Sequence, residues 1–128
     1  MALLHSLRML GVLCLSRRAL KDYRDRFDLP GLVETHHVVP RCCARHPAIR
    51  AHGFDVEGPG NFALLQSAKG RQRLRLRPER VVHTGSHMRY NAYVWRRLDA
   101  TVHSEAAFVA TVAELHHRVR HDPDVPWN

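Results

Sequence analysis

The sequence predicts an α+β domain: a small ββα unit flanked by an N-terminal and a C-terminal helix. Three observations point there. Two short apolar runs, "LVETHHVV" and "NFALL", have the composition and length of strands. Helical periodicity precedes them, with Leu3, Leu7, Leu10 and Cys14 on one stripe. It returns after them, with Phe108, Val112, Leu115 and Val119 at core spacing. At 128 residues the chain is one domain's worth of sequence. We divide it into an N-terminal helix (1–30), a core (31–100), a C-terminal helix (101–121) and a tail (122–128).

The first helix is expected to run on through "RRALKDYRDRF", with Leu20, Tyr23 and Phe27 carrying its apolar stripe. "DLPG" ends it, because Pro30 cannot continue a helix and Gly31 permits a turn. The first strand follows, and Pro40 closes it. "RCCARHPAIRAHGFDVEGPG" reads as loop with one helical turn. Asn61 opens the second strand. In "KGRQRLRLRPER" the arginines Arg71, Arg73, Arg75 and Arg77 recur at period two, which predicts a ribbon or extended loop with one basic face. "HTGSHMRYNAYVWRRLDATV" predicts a helix capped by Thr84 or Ser86. The last helix is expected from about Ser104 to His121.

Composition narrows the partners. The net charge is +8 with histidines neutral, carried mostly by arginine. Such an excess on a short chain favours a polyanion. Nucleic acid comes first, because phosphate neutralisation releases counterions and drives binding. An anionic membrane surface is the weaker partner. Three cysteines, two of them adjacent as Cys42 and Cys43, form no CxxC motif. This reads as a reduced, intracellular, soluble protein without a zinc ribbon. The apolar run from Met9 to Leu15 is at the short edge for a signal peptide, lacks a small-residue cleavage site and is too short to span a membrane.

The polar residues of the ββα unit stand at its ends. His36 and His37 close the first strand, and neighbours on a strand point to opposite faces. His83 and His87 are four apart at the start of the expected helix, where they share a face and can converge on one metal ion. The later pair His117 and His121 has the same spacing, but it suits a solvated face near a helix C-terminus.

These residues carry a resemblance. "THHVVPRCCARHPAI", "GFDVEGPGNFALL" and "HTGSHMRYN" are similar to the AHH family of the HNH nuclease superfamily, the ββα-metal or His-Me finger endonucleases. The resemblance covers residues 35–98. Thr35 stands where the family has Ala, and a basic segment separates Asn61 from His83.

The resemblance implies roles. His36, His83 and His87 hold one divalent metal, His37 is the general base, and Asn61 holds the loop through backbone hydrogen bonds and keeps the base oriented. The chemistry asks for such groups. Phosphodiester hydrolysis needs an activated water and a cation facing the developing charge, and an unperturbed imidazole titrates close enough to neutrality to take the water's proton. The expected activity is a metal-dependent endonuclease acting on DNA, with RNA not excluded. Magnesium or manganese is expected for turnover and zinc as a tight occupant. Arg71, Arg73, Arg75, Arg77 and Arg80 are the candidate phosphate contacts. The alternative is a non-catalytic nucleic-acid-binding protein that uses the same histidines as a structural zinc site. A nuclease this small fits a virus, a mobile element or a toxin system.

Overall fold

The structure is a computed structural model and describes residues 2–76 and 87–127. His83, Arg77, Arg80, Thr84 and Ser86 lie outside the described residues. Among the described residues the architecture is α+β: helices surround one two-stranded antiparallel sheet. In chain order the helices are α1 (Ala2–Met9), α2 (Arg17–Arg26), α3 (Pro47–His52), α4 (Ala68–Arg73), α5 (Met88–Asp99) and α6 (Glu105–His121). The strands are β1 (Val33–His37) and β2 (Phe62–Gln66). Two 3-10 turns, Arg41–Arg45 and Pro59–Asn61, lie in the long connection between the strands.

The strands pair from Val33 opposite Gln66 to His37 opposite Phe62. That register sets which side chain of β1 enters the core. The core itself is built from α1, α5 and α6 and the segments next to the sheet. Leu7, Val38, Val39, Tyr90, Val94, Leu98, Phe108, Val112, Leu115 and Val119 are all fully buried. The spacing of the last four predicted α6 correctly, and the Ser104 hydroxyl caps it by accepting from Ala107 N at 3.1 Å.

Four expectations need correction. The N-terminal region is two helices, not one. Gly11, at φ +86°, turns the chain in left-handed backbone that a residue with a Cβ adopts at a cost, and the Ser16 hydroxyl then caps α2. Second, the 41–60 segment holds α3 and two 3-10 turns, more helix than one turn. His46 starts α3, its ring Nδ1 accepting from Ala48 N at 3.0 Å.

Third, the basic run does not begin as a ribbon. Arg71 and Arg73 lie in α4, where residues two apart do not share a face, and Arg75 follows in left-handed backbone at φ +53°. The local physics overrides the period-two pattern. Ser67 caps α4, and Gly70 packs so closely on Leu32 that a Cβ there would stand 1.8 Å from the Leu32 carbonyl oxygen. Fourth, α5 begins at Met88, and His87 sits at the cap position with non-helical backbone (φ −123°, ψ 22°). The helix-face argument for pairing His83 with His87 therefore does not hold at His87.

Candidate functional site

β1 delivers its two imidazoles to different surroundings, as the pleat requires. His36 is 5% exposed and faces inward. Its ring centre lies 4.9 Å from Trp127, 5.3 Å from His87 and 5.4 Å from Tyr90. Across the sheet it pairs with Ala63, whose small side chain crowds it little. His37 faces the other way. It packs edge-on to Phe62 at 5.0 Å, and its Nε2 lies 3.1 and 3.2 Å from the two carboxylate oxygens of Glu57.

Both histidines nevertheless reach one pocket of about 270 Å³, because β1 ends at His37 and the chain turns there. Arg41 and Cys42 from the following 3-10 turn and His87, Tyr90 and Asn91 from the start of α5 complete its walls. Tyr90 ties the two sides together: its hydroxyl donates to the Val38 carbonyl. Burial, then Tyr93 and Cys43, push the Tyr90 phenol well above its ordinary pKa, so it stays a neutral donor.

Asn61 is fully buried beneath the end of β1. Its amide oxygen accepts from Val39 N at 2.7 Å, and its amide nitrogen donates to Val39 O at 2.7 Å and to Val56 O at 2.8 Å. Its own carbonyl accepts from Val38 N at 2.9 Å. One side chain thus satisfies both backbone groups of the residue two beyond His37, and also fixes the carbonyl just before Glu57.

Glu57 is the centre of a charged cluster on the outer side of His37. Arg41 Nε donates to it at 2.6 Å, and Arg17 lies 3.6 Å away. Burial alone would raise its carboxyl, but the hydrogen bonds and charges of His37 and Arg41 outweigh it and hold the carboxyl below the ordinary glutamate value. Arg17 also lies over the Phe62 ring, 5.9 Å from its centre.

Three further histidines, His46, His52 and His116, tie segments of the fold together. His46 is fully buried and donates from Nε2 to Asp99 at 2.8 Å. His52 is half-buried and donates to the Thr101 carbonyl at 2.7 Å. His116 is buried and donates to the Gly60 carbonyl at 2.8 Å, joining α6 to the turn before Asn61. His117 and His121 lie side by side on α6 with tilted rings, both exposed.

Of the sequence-predicted site residues, His36, His37 and His87 meet in one pocket, with Asn61 beneath it. Arg71, Arg73 and Arg75 lie at and just after α4, and none of them lines that pocket. Sequence reasoning missed Glu57, Arg41, Arg17 and Trp127. Glu57 lies 20 residues from His37 in an irregular loop, so no periodicity marks it. Trp127 falls in the segment read as a tail, and its aromatic character was the one available signal.

The two inward imidazoles pass a simple test for sharing an ion. Rings bound through nitrogen at about 2.0–2.1 Å in a tetrahedral site have centres roughly 5 Å apart. The His36 and His87 rings are 5.3 Å apart. Among the described residues no group of three or more His, Cys, Asp or Glu side chains is arranged to hold a metal ion.

The two-stranded sheet thus ends in paired histidines over a buried asparagine, faced by the start of a helix. The chain belongs to the AHH family, described as a nuclease family of the HNH/ENDO VII superfamily with conserved AHH, whose model matches residues 20–121. No curated protein and no solved structure matches it. Membership implies a nuclease, a hydrolase whose substrate is nucleic acid, and nucleases of the HNH superfamily typically use a divalent metal. No helix among the described residues is long and apolar enough to cross a membrane.

Proposed function

We propose that the protein is a single-metal DNA endonuclease in which β1, β2 and α5 form a ββα-metal core. The observation that carries this reading is the division of labour at the end of β1: His36 turns inward to His87, while His37 turns outward onto a carboxylate. His36 and His87 would hold the cation, with His83 as the third ligand. Bound there, a divalent cation supplies positive charge to the scissile phosphate and to the leaving 3′ oxygen.

The remaining work belongs to the chain. His37 takes the proton of the attacking water at the pocket mouth. Asn61 holds the Val38–Val39 backbone and so fixes where the strand end, and with it the His37 ring, stands. Arg41 and Arg17 place two guanidinium groups on the His37 side, where a phosphate oxygen of the substrate has forked donors available. Arg71, Arg73 and Arg75, with Arg77 and Arg80, extend the positive surface along the flanking backbone of the nucleic acid.

Plasmid nicking tests this. Supercoiled DNA is expected to be cut with magnesium or manganese, to be left intact with a chelator, and to yield 5′-phosphate and 3′-hydroxyl ends. His36→Ala should lose both metal affinity and cutting. His37→Ala should lose cutting and keep metal affinity. Wild-type cutting by His37→Ala would sink the base assignment. Absence of nicking with every divalent metal tried, with DNA binding intact, would favour a binding protein with a structural zinc.

A further inference from the structure

We propose that Glu57 is the positioning residue for His37: its carboxylate accepts the Nε2 proton and fixes the ring as the Nε2–H tautomer, leaving the Nδ1 lone pair as the only basic position. This rests on the reading of His37 as the general base. The contact is direct, with Nε2 at 3.1 and 3.2 Å from the two oxygens of Glu57. An ionised carboxylate has no proton to give, so the hydrogen of that bond belongs to the ring.

Three further features keep the carboxylate ionised and in place. Arg41 donates to it at 2.6 Å and Arg17 stands at 3.6 Å, and the carboxyl is held below its ordinary value despite the desolvation that opposes this. Its backbone N–H donates to Asp55 Oδ1 at 2.9 Å, which pins the loop. The carbonyl of the preceding residue, Val56, accepts from Asn61, the same side chain that clamps Val39. Asn61 therefore fixes the strand that carries His37 and the loop that carries Glu57 against each other. Phe62 packs edge-on against the imidazole and limits its rotation from the sheet side.

A purely structural account of this cluster is weak. The side chains of Arg17, Arg41 and Glu57 are 56%, 62% and 43% exposed. Ion pairs so exposed contribute little to folding stability. What they determine is the direction of one ring. An imidazole with a fixed tautomer presents its lone pair to the water in every encounter, whereas a free one divides its time between two tautomers.

The test reads the tautomer directly. The protein labelled with nitrogen-15 is observed through long-range proton–nitrogen couplings, with pH raised until the His37 pattern no longer changes. Wild-type His37 is expected as the Nε2–H tautomer. Glu57→Ala should populate both tautomers. Glu57→Gln should keep Nε2–H, since its amide oxygen can still accept. Arg41→Gln and Arg17→Gln, which remove ion pairs but leave the bond to His37, should keep it too.

In nicking assays Glu57→Ala should lower kcat by about 10- to 100-fold with little change in KM, and Glu57→Gln should recover part of that loss. A wild-type His37 in the Nδ1–H form overturns the proposal. So does a tautomer unchanged in Glu57→Ala, or wild-type cutting by Glu57→Ala while His37→Ala is dead. If His37→Ala still cuts, the base reading fails instead, and the tautomer of wild type and Glu57→Ala still decides whether Glu57 sets the ring.

Discussion

At the residue scale, buried polar atoms in and beside β1 differ in how well they are satisfied. Asn61 is the satisfied case. Asn61→Ala leaves the buried N–H and C=O of Val39 without their side-chain partner, and each such loss costs about 1–3 kcal/mol. The expected result is a lower Tm and a collapse of nicking, because the strand end carrying His37 loosens. A variant with unchanged Tm would contradict the clamp. Thr35 is the opposite case. It stands where the family has Ala, and its buried hydroxyl finds no hydrogen-bond partner among the described residues. Thr35→Ala removes that desolvated oxygen together with one methyl group, worth about 0.8 kcal/mol of burial. It should raise Tm slightly and leave cutting intact, and differential scanning calorimetry would show a fall if the hydroxyl has a stabilising partner.

At the level of elements, α4 is where local chemistry overrode pattern. Gly70→Ala puts a methyl group against the Leu32 backbone, which is the entry to β1. Overpacking of this kind costs about 1–3 kcal/mol, and urea unfolding should show it as a lower midpoint. Replacing Arg71, Arg73 and Arg75 together by Gln should weaken DNA binding across sequences. It should also flatten the dependence of affinity on salt, by about 0.9 in the log–log slope for each phosphate no longer neutralised. An unchanged slope would remove α4 and its C-terminal turn from the interface. Legibility followed the length of each signal. α6 was readable because four buried residues repeat over three turns. The break between α1 and α2 was not read, although its signal was there: at about 100° per residue the two apolar stripes are out of phase by roughly 140°, and Gly11 stands between them. The four arginines in alternation spanned too few residues to outvote a capped helix seated on Leu32.

Over the whole molecule, α6 and the turn that leads into β2 are joined through a buried titratable group. Burial pushes the His116 imidazole below its ordinary pKa, although its bond to the Gly60 carbonyl opposes this and Arg120 adds to it. A histidine depressed in the folded state binds more protons when unfolded, so its contribution is whole above about pH 6.5 and is lost as pH falls through the folded value. Tm should therefore drop from pH 8 to pH 5, and His116→Gln, which can still donate to Gly60, should drop less. Coincident profiles would refute the linkage. The three histidines that meet in the pocket were visible in the sequence, because motif spacing survives folding. Glu57 and Trp127 were not, because tertiary closure alone brings them to His37 and His36.

The pairing of β1 with β2 has an evolutionary corollary. The strands are joined by residues 38–61, so no tight turn locks their alignment, and the alternation of one buried and one outward histidine depends on it. Sliding β1 by one position would exchange the two imidazoles between the inner and the outer face, and with them the metal and proton roles proposed above. Because Asn61 anchors Val38 and Val39, a single residue inserted between His37 and Val38 should behave as a frame error at the level of the sheet. Both histidines would remain in the sequence, and each would face the wrong partner.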